Sequence, residues 1–139
     1  MEITKVKKKI LVVDSDFDLL GQLKVMLETA GYDVTTAEER RTAEKILLGT
    51  KPDLAILELI LEEMDAGFVL GYEIRKLYPG TPIILLTSVL GRTGMSFIGQ
   101  TPEAKSWVPA DKIIDKPARV EQLLEEVKKL LNEPWEPSH

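Results

Sequence analysis

Three strongly apolar stretches constrain the fold of this chain more than any other feature: the unbroken ILVV at 10–13, LAILEL at 54–59, whose apolar run ends at Glu58, and PIILLTS at 82–88. A strand with one face in water alternates apolar and polar residues, whereas an unbroken run suits a strand buried on both faces. Helical spacing fills the intervals. From 16 to 30 the apolar positions are Leu19, Leu20, Leu23, Met26 and Leu27, and Gly31 stands where a helix C-terminal cap belongs. A helix over 39–48 buries Ala43, Ile46 and Leu47 and stops at Gly49; a third, over 67–77, ends in the turn signal YPG at 78–80. A weaker strand over 32–37 centres on Val34, and a short fifth strand is expected at 112–114. The last helix, 119–131, lines up Val120, Leu123, Leu124, Val127, Leu130 and Leu131. Strands alternating with helices give a parallel sheet covered on both faces, and right-handed crossovers make it a doubly wound three-layer α/β/α sandwich.

Residues 9–132 form one domain in this reading, preceded by a basic, solvated lead-in at 1–8 and followed by a loose tail at 133–139 that Trp135 could pin. No cysteine is present, so disulfides and thiolate metal sites are excluded, and the one histidine, His139, is the last residue, which argues against histidine catalysis or a multi-histidine metal site. A net charge of −5 argues against a nucleic-acid surface. The apolar runs are too short to span a membrane, and the expected location is the cytoplasm.

In doubly wound sheets, ligands bind beyond the carboxyl ends of the strands. Those ends carry Asp14, Ser15 and Asp16 after the first strand, Glu58 in the third, Thr87 and Ser88 after the fourth, and Lys116 after the fifth. Taken singly, each has a plain explanation: Asp14 as a helix cap, Thr87 as a strand residue, Lys116 as a surface charge. Together they suit phosphoryl chemistry, in which carboxylates hold Mg²⁺ while a hydroxyl and an ammonium meet phosphoryl oxygens. No glycine-rich phosphate cradle occurs, so no nucleotide is indicated.

The segments ILVVDSDFDLL (10–20), PDLAILELILEEMDAGF (52–68), PIILLTS (82–88) and DKP (115–117) resemble the receiver domains of two-component response regulators over about 9–131. The resemblance implies a flavodoxin-like fold with strand order 2-1-3-4-5. It also implies a Mg²⁺ and phosphorylation site built from an acidic pair and a third-strand aspartate, completed by a Thr or Ser and a Lys. Asp14, Thr87 and Lys116 match that pattern, and Pro117 follows as usual. Three positions depart: Ser15 replaces the second acid, Glu58 replaces the phosphoacceptor aspartate, and Ile113 replaces the switching aromatic.

Glutamate reaches about 1.5 Å further than aspartate, one C–C bond, and in-line phosphoryl transfer is sensitive to errors of that size. Ser15 removes a charge from the metal site, and Asp16 stands near enough in sequence to be a partial substitute. Isoleucine is stiff at χ1 and has no hydroxyl to report its orientation. No cofactor is expected, and at most weak Mg²⁺ on Asp14 and Glu58. Two readings of Glu58 stay open: a mimic of phospho-aspartate, or a buried ion pair with Lys116 in place of the metal. Against the mimic, phosphate carries nearly two charges and three acceptor oxygens, and the pair is preferred because Ile113 has also removed a readout component.

The expected function is therefore a stand-alone, non-enzymatic, receiver-like signalling protein, a pseudo-receiver working without phosphorylation through a protein partner or a homodimer. The alternatives are a working or constitutively active response regulator, and a small-ligand binder or enzyme on the same fold. The partner surface is placed within 89–131. There Thr87 and Lys116 lie 29 positions apart, and Phe97, Ile98 and Trp107 are candidate anchors or plain groove fillers. Gly91 and Gly94 beside Arg92 read better as a flexible loop than an anion site. Glu62, Glu63 and Asp65 read better as a solvated turn than a metal-site extension.

Overall fold

The computed structural model describes residues 6–61, 65–88 and 109–133. Five strands, β1 (Lys9–Val13), β2 (Asp33–Ala37), β3 (Leu54–Leu57), β4 (Ile83–Thr87) and β5 (Lys112–Asp115), form one parallel sheet in the order β2-β1-β3-β4-β5. The described helices are α1 (Phe17–Thr29), α2 (Arg40–Gly49), α3 (Ala66–Leu77) and α4 (Val120–Leu130). The predicted doubly wound architecture and strand order are those observed.

The period-2 geometry of a strand explains why the runs are unbroken. Ile10 and Val12 of β1, Leu54 and Ile56 of β3, and Ile84 and Leu86 of β4 join one core with Leu20, Leu23 and Leu27 of α1 and Leu123 and Val127 of α4. The intervening Leu11, Val13, Ala55, Leu57, Ile83 and Leu85 join the other with Ala43 and Leu47 of α2 and Leu70 and Ile74 of α3. Each fully buried Leu or Ile contributes about 1.5–3 kcal/mol, so both faces hold the strands in register.

The helix ends have specific causes. Asp16 caps α1, its Oδ1 accepting from the Leu19 amide at 3.1 Å, and Gly31 leaves the helix at φ 102°. Gly49, expected to stop α2, is instead its last helical residue; Thr50 ends it in an extended conformation, so no left-handed residue is required. Val120, expected along the buried side of α4, is 54% exposed because it starts the helix, ahead of the turn that rests on the sheet. Glu58 lies one residue beyond β3 rather than in it.

At the amino-terminal edge of the sheet, the lead-in and tail boundaries are both tied down. Lys8 donates to the Leu131 carbonyl at 3.0 Å and lies 3.6 Å from Glu133, whose Oε1 accepts from the Tyr32 hydroxyl at 2.6 Å. Lys128 sits over the Tyr32 ring, 5.4 Å from its centroid. Burial first, then the hydrogen bond and charge of Glu133, push the Tyr32 hydroxyl well above the ordinary tyrosine range. Residues 89–108, Glu62, Glu63 and Trp135 lie outside the described residues, and with them the proposed anchors Phe97, Ile98 and Trp107.

Tyr32→Phe is expected to lower stability by about 1–2 kcal/mol, the lower part of the range for a hydrogen bond to a charged group because Glu133 is partly exposed. Urea denaturation measures this, and Glu133→Gln added to the Tyr32→Phe variant should recover none of the loss, because the carboxylate still pairs with Lys8 at 3.6 Å.

Candidate functional site

Strand register brings the site together. β1 and β3 pair with Val13 opposite Leu57, so Asp14 and Glu58 follow side by side, and the Glu58 amide donates to the Val13 carbonyl at 2.9 Å. β4 and β5 pair with Thr87 opposite Asp115; the next residue, Lys116, donates its amide to the Thr87 carbonyl at 3.0 Å. Asp14, Glu58 and Thr87 are buried, at 3%, 6% and 1% exposure.

The Lys116 ammonium bridges the two carboxylates. Its Nζ lies 2.7 Å from Asp14 Oδ2 and 2.8 Å from Glu58 Oε1. The remaining oxygens also have donors: Asp14 Oδ1 accepts from the Asp16 amide at 2.9 Å, and Glu58 Oε2 accepts from the Leu59 amide at 2.5 Å and, more weakly, the Ile60 amide at 3.3 Å. Burial alone would push the ammonium's pKa down. The hydrogen bonds to Asp14 and Glu58 and their charges outweigh it, so the pKa stands above the ordinary 10.5.

The other expected members are placed differently. Ser15 is exposed at the mouth and lines the adjoining groove between α1 and α2. Asp16 does not join the pocket as a substitute acid, because its carboxylate is committed to capping α1. Thr87 is buried at the end of β4. Ile113 is half-buried and rests against the core on the α2–α3 side of the sheet. Asp65 is exposed just before α3.

Gly67, read from sequence only as a helix start, positions Glu58. A Cβ there would overlap the Glu58 carbonyl oxygen and stand 2.6 Å from Leu59 Cα, and the Gly67 amide donates to the Leu59 carbonyl at 2.8 Å. The usable signal was a glycine at the second position of a helix, where alanine is the better helix former. Gly71, one turn on, is seated the same way against Pro109, whose Cγ would lie 2.8 Å from an added Cβ.

These residues fit Mg²⁺ poorly. A hard divalent ion takes several oxygen ligands, whereas Ser15 supplies no carboxylate and both acids already hold an internal cation. Among the described residues no group of three or more acids, histidines or cysteines is arranged to hold a metal.

Removing the ammonium would leave two buried carboxylates uncompensated. Lys116→Met is expected to cost about 3–5 kcal/mol near neutral pH, measured by urea unfolding across a pH series. The unfolded lysine titrates near 10.5 and the folded one higher. The stabilisation is therefore complete below pH 10.5 and is lost as pH rises through the folded pKa. The Lys116 share of that alkaline decline should vanish in the Met variant, leaving the share due to Tyr32; a neutral-pH cost under about 1 kcal/mol would make the bridge no stronger than a surface pair. Separately, Gly67→Ala should destabilise by about 1–3 kcal/mol through overpacking despite its better helix propensity, read in the same denaturation experiment.

The family model described as the response regulator receiver domain matches residues 10–128. The transcriptional regulatory protein GlrR of Escherichia coli (strain K12) is 43% identical over 79 residues, which are 57% of this chain and 18% of that protein. The alkaline phosphatase synthesis transcriptional regulatory protein PhoP of Bacillus subtilis is 38% identical over 81 residues, 58% of this chain and 33% of that protein. The chain thus spans a third or less of these curated relatives. Among solved structures, a CheY-like receiver domain protein from Methanospirillum hungatei superposes with a TM-score of 0.77 at 28% identity, covering 91% of this chain and 95% of that one. Response regulator TrrA from Thermotoga maritima, solved in complex with Mg(2+)-BeF, gives 0.72 at 33% identity over 88% and 98%. Fold, strand-end chemistry and sequence agree, and the chain belongs to the response-regulator receiver family of two-component signalling.

Proposed function

We propose that this receiver signals through protein contacts without using aspartyl phosphorylation, with the Lys116 ammonium taking the structural place that Mg²⁺ holds elsewhere in the family. The observation that carries this reading is the bridge itself: one half-buried cation within 2.8 Å of two buried acids, Asp14 and Glu58. A metal entering between those acids would have to displace Lys116 and the hydrogen bonds it makes. Phosphoryl transfer to Glu58 would have to proceed from a carboxylate whose two oxygens are already held by Lys116 and by the Leu59 and Ile60 amides.

The same geometry favours the ion pair over phosphate mimicry. A mimic works by presenting charge to the switch residues, and here the charge is neutralised at its source by Lys116. Ile113, branched at Cβ and held against the α2–α3 side core, is poorly built for a rotamer change. No described helix is long and apolar enough to cross a membrane, and a cytoplasmic site of action accords with the family.

Incubation with acetyl phosphate and Mg²⁺ followed by intact-mass measurement tests the reading. The wild type is expected to show no phosphoryl adduct, while Ser15→Asp combined with Glu58→Asp should gain one. An adduct on the wild-type chain would overturn the proposal. In the same samples Mg²⁺ should leave the wild-type melting temperature unchanged. A site filled at ten times its Kd would add about 1.4 kcal/mol of stability, which the double variant is expected to approach.

A further inference from the structure

An open groove of about 830 Å³ lies beside the acidic site, between α1 and α2. Phe17, Gly21 and Lys24 form the α1 wall, Glu38 and Glu39 in the turn before α2 form the opposite wall with Thr42 of α2, Ala37 lies between them, and Ser15 stands at the end nearest Asp14.

Two features of α1 have no packing role among the described residues. Phe17 is 72% exposed at the first position of a helix already capped by Asp16. Gly21 follows one turn later on the same face. A Cβ there would meet nothing within 4 Å, and its φ is not positive. Neither a turn nor internal packing calls for glycine at that position, and a helix interior disfavours it. The remaining physical use of a bare helix surface is close approach by another molecule.

Charge indicates what approaches. Exposed Asp16 and Asp18 flank Phe17, and exposed Glu38 and Glu39 face it across the groove. Lys24 is the one basic lining residue, and Arg40 is turned toward Glu44 on its own helix, 3.8 Å away. We propose that this groove docks a partner-protein segment carrying an apolar side chain flanked by arginine or lysine. The apolar group would sit over Gly21 against the Phe17 ring, and the cations would meet the carboxylate rim and the ring face. This rests on the reading that protein contact is the output, and it places the contact beside Ser15, in the loop that carries Asp14.

The test is an NMR titration of the isotope-labelled chain with a short amphipathic peptide of arginine and leucine, and with its counterpart in which glutamate replaces arginine. The arginine peptide should shift the amides of Phe17, Gly21 and Glu38, and the glutamate peptide should not. Glu38→Lys with Glu39→Lys should abolish the shifts. Gly21→Ala should raise the melting temperature yet weaken binding by about tenfold or more, a pairing of opposite signs that a merely structural glycine cannot give. Equal binding by the two peptides, shifts confined to other faces, or a Gly21→Ala variant that binds like wild type would each overturn the groove assignment. A phosphoryl adduct alongside intact groove binding would instead remove only the phosphorylation-independent reading.

Discussion

The bridge from Lys116 to Asp14 and Glu58 is the interaction on which the carboxyl end of this sheet depends. A parallel sheet with this strand order sets β1 beside β3, so two acids that follow those strands are forced together. Like charges at that separation in a buried setting are strongly unfavourable unless a cation lies between them. Response regulator TrrA from Thermotoga maritima was solved in complex with Mg(2+)-BeF. Here the cation is covalently part of the chain, delivered by the residue after β5.

A tethered cation differs from a bound ion in one respect that matters for signalling. A bound ion's occupancy varies with its concentration, and it can coordinate an incoming phosphoryl group while still holding the carboxylates. An ammonium has three donors and no open coordination position. Two of those donors are directed at Asp14 and Glu58, so the site is electrostatically settled before any ligand arrives.

Much of this was legible in the amino-acid sequence, for identifiable reasons. Burial on both faces writes itself as the unbroken runs at β1, β3 and β4, and these gave the architecture. The position of Asp14, Glu58 and Lys116 at strand ends followed from the same runs, because the fold places strand ends together. What could not be read were features set by direction rather than position. Asp16 looked like a spare acid, but its carboxylate turns to the α1 amides. Gly49 looked like a helix stop, yet α2 ends without a left-handed residue. Lys8 looked like part of a solvated lead-in, and the third dimension ties it to Leu131 and Glu133. Gly67 carried no visible role because its constraint is the backbone of Glu58 and Leu59, nine and eight residues earlier, which only the folded chain brings alongside.

That last contact has a mechanical consequence. α3 is seated at both Gly67 and Gly71 without an intervening side chain on its own part, against the Glu58–Leu59 backbone at one seat and Pro109 at the other. Ordinary helices rest on rotatable side chains, which absorb small displacements as rotamer changes. A helix seated on bare backbone has no such cushion. Motion of the segment after β3 must therefore be carried by α3 as a rigid tilt, felt at the stretch that leads into β5 and so to Lys116. The residues that hold the charges and the helix that braces them form a closed mechanical loop.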